Sequence, residues 1–123
     1  MDKKLKILIA DDERALAGAL SLKLNHEGFE SVVAFNGREA MDHLEKDKFD
    51  LLILDLVMPQ LDGFGVLAEL KTKGIKMPVL VASNLSQAED ITKAKELGAF
   101  DFFIKSDTPV SVIVQKIKDH FKL

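Results

Sequence analysis

Polar side chains able to do chemistry follow the short apolar runs of this sequence, each at the point where a run ends. They are Asp11 and Asp12, then Asp55, then Ser83 with Asn84, and finally Lys105. If the runs are neighbouring parallel strands, their carboxyl ends share one sheet edge, and these distant residues surround a single crevice. Three carboxylates in one crevice repel one another, and burial increases the repulsion. Mg²⁺ would relieve it, because this ion prefers oxygen ligands and is typically held by one or two carboxylates plus a phosphate oxygen.

Asp55 is the candidate nucleophile toward phosphorus, because it closes the apolar run 51–54 at the end of the expected central strand. A charge in such a buried setting is costly unless something compensates it. The ammonium group of Lys105 and the hydroxyl group of Ser83 could each hold one of the transferred oxygens. Phosphoryl transfer depends mainly on positioning and charge stabilisation of this kind. The set therefore favours Mg²⁺-dependent phosphoryl transfer to Asp55.

Each of these residues also has an ordinary structural explanation when it is taken alone. Asp12 is placed to cap the N-terminus of a helix, and Asp11 and Ser83 are placed to occupy turns. Lys105 is most simply a surface charge. The functional interpretation depends on five positions that fit one crevice together, and Asp55 is the hardest of them to explain structurally.

Five apolar runs alternate with stretches of helical spacing, and this alternation is typical of an α/β protein. The predicted strands are residues 5–10, 29–35, 51–54, 78–82 and 100–104. The helical stripes begin at Leu16, Ala40, Phe64, Ala88 and Val110. Helix starts are predicted at Asp12, Asp62, Ser86 and Thr108-Pro109, and helix ends at Gly28, Gly74 and Gly98.

These elements predict a three-layer, doubly wound, flavodoxin-like fold, in which five helices cover both faces of a five-stranded parallel sheet. Right-handed crossovers leave few topologies, and 2-1-3-4-5 is the common strand order for five strands. In that order ligands bind at the carboxyl ends of the strands, near the point where the order reverses. The polar residues of this chain follow those strand ends.

Length and composition exclude several classes of protein. A chain of 123 residues suits one domain, 1–123, and has no cysteine for disulfides, thiolate metal sites or cysteine nucleophiles. Its formal charge of −3 argues against binding nucleic acid or an anionic membrane through bulk positive charge. No apolar run approaches the ~20 residues of a membrane span, and the N-terminus lacks the features of a signal peptide. We therefore expect a cytoplasmic protein that binds neither nucleic acid nor a membrane.

The polar residues lie within a pattern that resembles the receiver domain of two-component response regulators. It comprises Ile9-Ala10-Asp11-Asp12-Glu13, the segment 50–63, Ser83, and the segment 98–105 that ends in Lys105. The most distinctive part is a strand followed by Asp55-Leu56-Val57-Met58-Pro59-Gln60-Leu61-Asp62-Gly63. The likeness spans essentially the whole chain, from about residue 6 to residue 121.

The resemblance implies a role for each matching residue of the site. Asp55 is expected to accept a phosphoryl group from a histidine kinase, and Lys105 to be its counter-ion. The implied ligands of Mg²⁺ are Asp12 directly, Asp11 largely through water, Asp55, and the backbone carbonyl of Val57. Ser83 is expected to be the switch hydroxyl that binds a phosphoryl oxygen, and Phe102 to be the switch aromatic residue.

The resemblance also implies how the chain would signal. Phosphorylation would draw Ser83 inward and move Phe102 after it, which reshapes the face formed by the fourth helix, fifth strand and fifth helix. The expected partners are a sensor histidine kinase or phosphotransfer protein, and a downstream protein target or an output domain outside this chain. No enzyme activity is expected beyond self-phosphotransfer and slow self-dephosphorylation.

Two residues beside the site depart from the receiver pattern. Ser106 follows Lys105 where the family usually has proline, and a cis bond before a non-proline residue costs about 3–4 kcal/mol, so this bond is either trans or strained. Asn84 follows Ser83 where many receivers have alanine or glycine. Its larger side chain either narrows access to the phosphoryl group or supplies another hydrogen bond.

The positions that tune self-dephosphorylation in this family are apolar here. Val57 lies two residues beyond Asp55, and Leu85 lies two residues beyond Ser83. In receivers these side chains help or block the water that attacks the aspartyl phosphate. We therefore predict slow self-dephosphorylation.

One other function is excluded by the sequence, and two stay open. Two aspartates after the first strand, in place of glycines, exclude a dinucleotide-binding enzyme because they would repel a pyrophosphate. A Mg²⁺-dependent phosphatase with an aspartate nucleophile usually carries a second aspartate two residues later, where this chain has Val57. A receiver-like interaction module that no longer takes phosphate stays open because of Asn84 and Ser106.

Overall fold

Strands and helices alternate strictly along the chain in the computed structural model, which describes residues 4–84 and 88–123. In order they are β1 (Lys6–Ala10), α1 (Arg14–His26), β2 (Glu30–Ala34), α2 (Gly37–Lys46), β3 (Leu51–Asp55), α3 (Gly63–Lys73), β4 (Val79–Ser83), α4 (Ala88–Glu96), β5 (Asp101–Ile104), a 3₁₀ turn (Lys105–Asp107) and α5 (Val110–Phe121). Each predicted strand is present, and its ends differ from the prediction by at most one residue.

The five strands form one parallel sheet in the predicted order, β2-β1-β3-β4-β5. Near the carboxyl ends, the Cα partners are Ala10 with Leu54, Asp55 with Ala82, and Ser83 with Ile104. This register keeps the carboxyl ends of β1, β3, β4 and β5 level along one edge of the sheet. The strand order reverses between β1 and β3, so a crevice opens at the residues that follow these two strands.

Helices cover both faces of the sheet, because alternate residues of each strand point to opposite faces. Ile7 and Ile9 of β1 pack in a core with α1 and α5, whereas Leu8 and Ala10 pack in a second core with α2, α3 and α4. All four side chains are fully buried. Burial on both faces explains why the inner strands are continuous apolar runs rather than alternating ones.

The predicted helix starts agree only in part with the structure. Asp62 caps α3 as predicted, since its Oδ1 accepts the N–H of Gly65 at 2.8 Å. The prediction for Asp12 is wrong: the N-cap residue of α1 is Glu13. The N–H of Glu13 donates to Oδ1 of Asp11 at 2.8 Å, so the preceding carboxylate satisfies this end of the helix.

The predicted helix ends are confirmed at three glycines. Positive φ angles follow α1, α3 and α4 at Gly28 (94°), Gly74 (68°) and Gly98 (114°). The start of α5 is one residue later than predicted, because Pro109 has extended backbone angles and is the N-cap residue in place of Thr108. Ser86, the predicted cap of α4, lies outside the described residues.

Candidate functional site

The carboxyl edge of the sheet brings together side chains that lie up to 94 positions apart in sequence. The Nζ atom of Lys105, directly after β5, lies 3.0 Å from Oδ1 of Asp11 and 3.1 Å from Oδ2 of Asp55. It also lies 3.1 Å from Oε1 of Glu13. The side chain of Lys105 is only 4% exposed, so one buried ammonium group is shared by three carboxylates.

The two buried carboxylates of the site use their oxygens differently. Oδ1 of Asp11 accepts from Lys105 and from the backbone N–H of Glu13. Oδ2 of Asp11 is buried and has no hydrogen-bond partner within the described part of the chain. Asp55 is the last residue of β3; its Oδ1 accepts the N–H of Val57 at 3.2 Å, and its Oδ2 accepts from Lys105. An orphaned, buried carboxylate oxygen indicates a missing cationic partner.

The acidic cluster fits a divalent cation. Asp11, Asp12 and Asp55 each offer one carboxylate oxygen, and these three atoms all lie within 4.8 Å of one another. Asp12 is exposed, whereas Asp11 and Asp55 are buried. Lys105 compensates only one of the negative charges, and carboxylate oxygens are the ligands that Mg²⁺ prefers. These residues could therefore hold Mg²⁺, together with the oxygens of a phosphate.

Burial and neighbouring charge control the protonation of the site. Burial, with a further contribution from the negative charge of Asp11, raises the pKa of Asp55 to about 7 against the opposing effect of Lys105. For Lys105, burial lowers the pKa, but the hydrogen bond to Asp11 and the charge of Asp55 outweigh it and raise the pKa above its ordinary value. Lys105 is therefore a cation at neutral pH. A divalent cation beside Asp55 would favour its ionised form.

A cavity of about 280 Å³ opens above these groups. It is lined by Asp12, Glu13, Asp55, Val57, Asn84 and Lys105. Val57 is 59% exposed and lies at the mouth, where its carbonyl is a predicted Mg²⁺ ligand. The cavity gives the carboxylate of Asp55 access to a small anionic group from solvent.

The two predicted switch residues lie on β4 and β5; β4 pairs with β3, which ends in Asp55, and β5 pairs with β4. Ser83 is buried at the end of β4, one residue beyond Ala82, which is the Cα partner of Asp55. Phe102 lies on β5 and packs against the core that contains α2, α3 and α4. The ammonium group of Lys95 lies 5.4 Å from the centroid of its ring. The structure thus places Ser83 at the carboxyl edge beside Asp55 and Phe102 on the edge strand, and their switch roles stay predictions.

The unusual residues Asn84 and Ser106 contact each other. Oδ1 of Asn84 accepts the backbone N–H of Ser106 at 3.1 Å. The extra hydrogen bond that the sequence suggested for Asn84 therefore exists, and it joins two loops of the site. No peptide bond in residues 4–84 and 88–123 is cis, so the Lys105–Ser106 bond is trans. Leu85 lies outside the described residues.

Glu13 is a site residue to which the sequence pattern assigned no role, although its carboxylate contacts the ammonium group of Lys105. Its side chain is 51% exposed, so it forms the outer wall of the site. The signal in the sequence was its position directly after Asp11 and Asp12, at the start of α1, where the first turn faces the crevice. An acidic residue at that position is within reach of a cation in the crevice.

The fold and the site define a class of doubly wound α/β domains with an acidic cluster and a buried lysine at the carboxyl edge of the sheet. The family model described as the response regulator receiver domain matches residues 7–118. The chain therefore belongs to the receiver domain family of two-component response regulators.

Curated relatives agree with this family. The chain is 36% identical over 107 residues to a probable transcriptional regulator, ycf27, of Porphyridium aerugineum, covering 87% of this chain and 44% of the relative. It is 34% identical over 107 residues to the alkaline phosphatase synthesis transcriptional regulatory protein PhoP of Bacillus subtilis, covering 87% and 45%. The chain thus spans less than half the length of these relatives.

A solved structure shows the same fold at similar length. The receiver domain of the Francisella response regulator 1452 superimposes with a TM-score of 0.90 at 28% sequence identity. The match covers 97% of this chain and 98% of that one.

Proposed function

We propose that this receiver domain accepts a phosphoryl group on Asp55 in a Mg²⁺-dependent reaction, from a sensor histidine kinase or a phosphotransfer protein. The observation that carries the proposal is the shared ammonium group: Lys105 lies 3.0 Å from Asp11 and 3.1 Å from Asp55, at the floor of an open cavity. A buried carboxylate with a cation on one side and two further carboxylates beside it suits attack on a phosphate that arrives with a metal ion.

The transfer is a substitution at phosphorus. An ionised oxygen of Asp55 forms a bond to phosphorus, while the bond from phosphorus to the donor nitrogen or oxygen breaks and the leaving group takes the electron pair. Lys105 holds one transferred oxygen, and the hydroxyl group of Ser83 binds another. Asp12, Asp55, the carbonyl of Val57 and, largely through water, Asp11 would hold Mg²⁺, which would supply charge screening for the incoming phosphate.

The phosphorylated form would signal through the α4–β5–α5 face. A phosphoryl group adds negative charge and acceptor oxygens, which favour the state with Ser83 and Phe102 turned inward. The partner is a downstream protein or an output domain outside this chain, and no nucleic-acid contact is proposed. None of the helices in the described residues is both long and apolar enough to cross a bilayer. The cytoplasmic location stays a prediction.

Intact-protein mass spectrometry after incubation with phosphoramidate and Mg²⁺ tests the proposal. Wild type is expected to gain one phosphoryl group per chain, and Asp55→Asn none. Asp42→Asn removes an exposed acid on α2 outside the cluster, and it is expected to gain the group as wild type does. An equal mass gain in Asp55→Asn would reject Asp55 as the acceptor.

Phosphate release separates the receiver from a phosphatase. We propose that the chain is not a turnover enzyme, because Val57 occupies the position where such phosphatases usually carry a second aspartate. Each chain is expected to hold one stable aspartyl phosphate that decays slowly. Loss within seconds would contradict slow decay, and many phosphates released per chain would support the phosphatase.

A further inference from the structure

Asn84 and Ser106 form a contact between the two loops that flank the site. The hydrogen bond from the Ser106 N–H to Oδ1 of Asn84 is 3.1 Å long and joins residues 22 positions apart. Asn84 directly follows Ser83, and Ser106 directly follows Lys105. The bond therefore links the neighbours of two residues that the proposed reaction uses.

The position of this bond follows from the sheet. β5 is the edge strand and pairs with β4, and their pairing ends at Ser83 and Ile104. The N–H of Phe100 donates to the carbonyl of Val79. Because alternate residues of a strand face the same neighbour, the N–H of Ser106 is the next donor of this series beyond Ile104. The side-chain carbonyl of Asn84 accepts it where strand pairing has ended.

Lys105 is held between these two anchors. Ile104 before it is paired with β4, and Ser106 after it is tied to Asn84. A lysine ends in a point charge on a flexible four-carbon chain, so the place of its ammonium group depends on how firmly the backbone is held. Loss of the Asn84 bond would leave the turn Lys105–Asp107 anchored to β4 on one side alone.

We propose that Asn84 is a positioning residue for Lys105 and acts through the backbone N–H of Ser106. This inference rests on the proposed phosphorylation of Asp55, for which Lys105 is the counter-ion. The two departures from the receiver pattern then form a functional pair. A proline at position 106 has no backbone N–H, so Oδ1 of an asparagine at position 84 could not accept a hydrogen bond from it.

A double-mutant cycle tests the pair. Asn84→Ala is made in a Ser106→Ala background, which keeps the backbone N–H, and in a Ser106→Pro background, which removes it. The rate constant for phosphorylation by phosphoramidate and Mg²⁺ is followed by intact-protein mass spectrometry. In the Ser106→Ala background, Asn84→Ala is expected to slow the reaction by about two- to tenfold, which corresponds to the net free energy of one hydrogen bond. In the Ser106→Pro background it is expected to have no effect. Equal slowing in both backgrounds, or none in the first, would overturn the inference.

Hydrogen exchange gives a readout that needs no phosphate. In Asn84→Ala the amide of Ser106 is expected to exchange faster than in wild type by a similar factor, and the amide of the fully buried Leu52 reports any accompanying change in global stability. Unchanged exchange at Ser106 would overturn the inference and leave the phosphorylation of Asp55 standing. A wild type that takes no phosphate would instead overturn the proposed function, whatever the exchange rate at Ser106.

Discussion

Lys105 sets the charge balance of the site. Its ammonium group contacts Asp11, Glu13 and Asp55, so it compensates part of an acidic cluster whose charge would otherwise be buried. Removing Lys105 would leave the buried carboxylates uncompensated, which is strongly destabilising, whereas Lys105 keeps two carboxylate partners if Asp55 is neutral. Burial, with a further contribution from the charge of Asp11, raises the pKa of Asp55, and the remaining negative charge makes the crevice attractive to a divalent cation.

Asp55→Asn is expected to stabilise the metal-free protein at neutral and alkaline pH. The pKa of Asp55 is about 7 in the fold against an ordinary 3.8, so between these values the folded state binds more protons than the unfolded chain. The contribution of this group to stability is therefore present at low pH and is lost as the pH rises from about 4 toward 7. Asparagine does not titrate and avoids this loss, which is worth about 1–3 kcal/mol at alkaline pH.

Urea unfolding without Mg²⁺, measured from pH 4 to pH 8, checks this expectation. The wild-type free energy of unfolding should fall relative to that of Asp55→Asn across this range. Parallel profiles for the two proteins would show that the carboxyl group of Asp55 is not destabilised by burial.

Mg²⁺ is expected to stabilise wild type and to stabilise Asp12→Asn much less. A ligand that binds only the folded state raises the free energy of unfolding by RT ln(1 + [L]/Kd). Asp12 is exposed but offers an oxygen to the acidic cluster, so its replacement weakens metal binding without disturbing the core. Unfolding with and without millimolar MgCl₂ measures the effect, and Asp42→Asn should keep it. Equal stabilisation of Asp12→Asn would remove Asp12 from the ligand set.

Among the elements, α3 starts unusually close to the strand that carries Asp55. The N–H of Gly63 donates to the carbonyl of Leu56 at 3.0 Å. A Cβ atom at Gly63 would lie 2.4 Å from the backbone oxygen of Asp55, which is too close for any real side chain. Asp62 therefore caps the helix, and Gly63 permits the approach.

Gly63→Ala is expected to destabilise the protein by about 1–3 kcal/mol, because backbone atoms of Asp55 and Leu56 must move. Gly18→Ala is the matched control: it lies on an exposed position of α1, where an added Cβ has no neighbour within 4 Å. That substitution should stabilise by about 0.5–1 kcal/mol, since alanine is the better helix former. Urea unfolding of both variants decides the question, and changes of the same sign would refute the close approach.

Across the whole molecule, the edge strand β5 connects the site to both helical layers. Phe102 packs on the side of α2, α3 and α4, whereas its neighbour Phe103 packs on the side of α1 and α5. Lys105 comes directly after the last residue of β5 and lies in the site. A displacement of β5 would therefore affect both helical layers. For this reason the proposed signalling face, which comprises α4, β5 and α5, is suited to transmit a change at Asp55.

Beryllofluoride with Mg²⁺, a mimic of the phosphoryl group, is expected to change the protein along this route. Because the chain has no tryptophan or tyrosine, NMR is the suitable probe. The largest amide shifts should occur at the carboxyl edge and on α4, β5 and α5, and small ones at Phe29 and Asp50 on the opposite edge. Asp55→Asn should not respond. No response from wild type would favour the interaction module that takes no phosphate.

The order of apolar and polar residues was enough to predict the fold and the centre of the site. Burial requires apolar residues to recur with the period of the strand or helix that carries them. The spacing of apolar residues therefore predicted the ends of each strand to within one residue. Because parallel strands end at a common edge, the positions of Asp11, Asp55 and Lys105 at strand ends were sufficient to predict their convergence.

Which atoms contact each other at that edge became clear from the folded arrangement alone. The contact of Glu13 with Lys105, the bond from Ser106 to Asn84, and the use of Asp11 rather than Asp12 at the start of α1 follow no sequence period. Each depends on the direction of a side chain in a loop between elements. Such directions are set by small, competing interactions that become defined only when the strands on either side are in place.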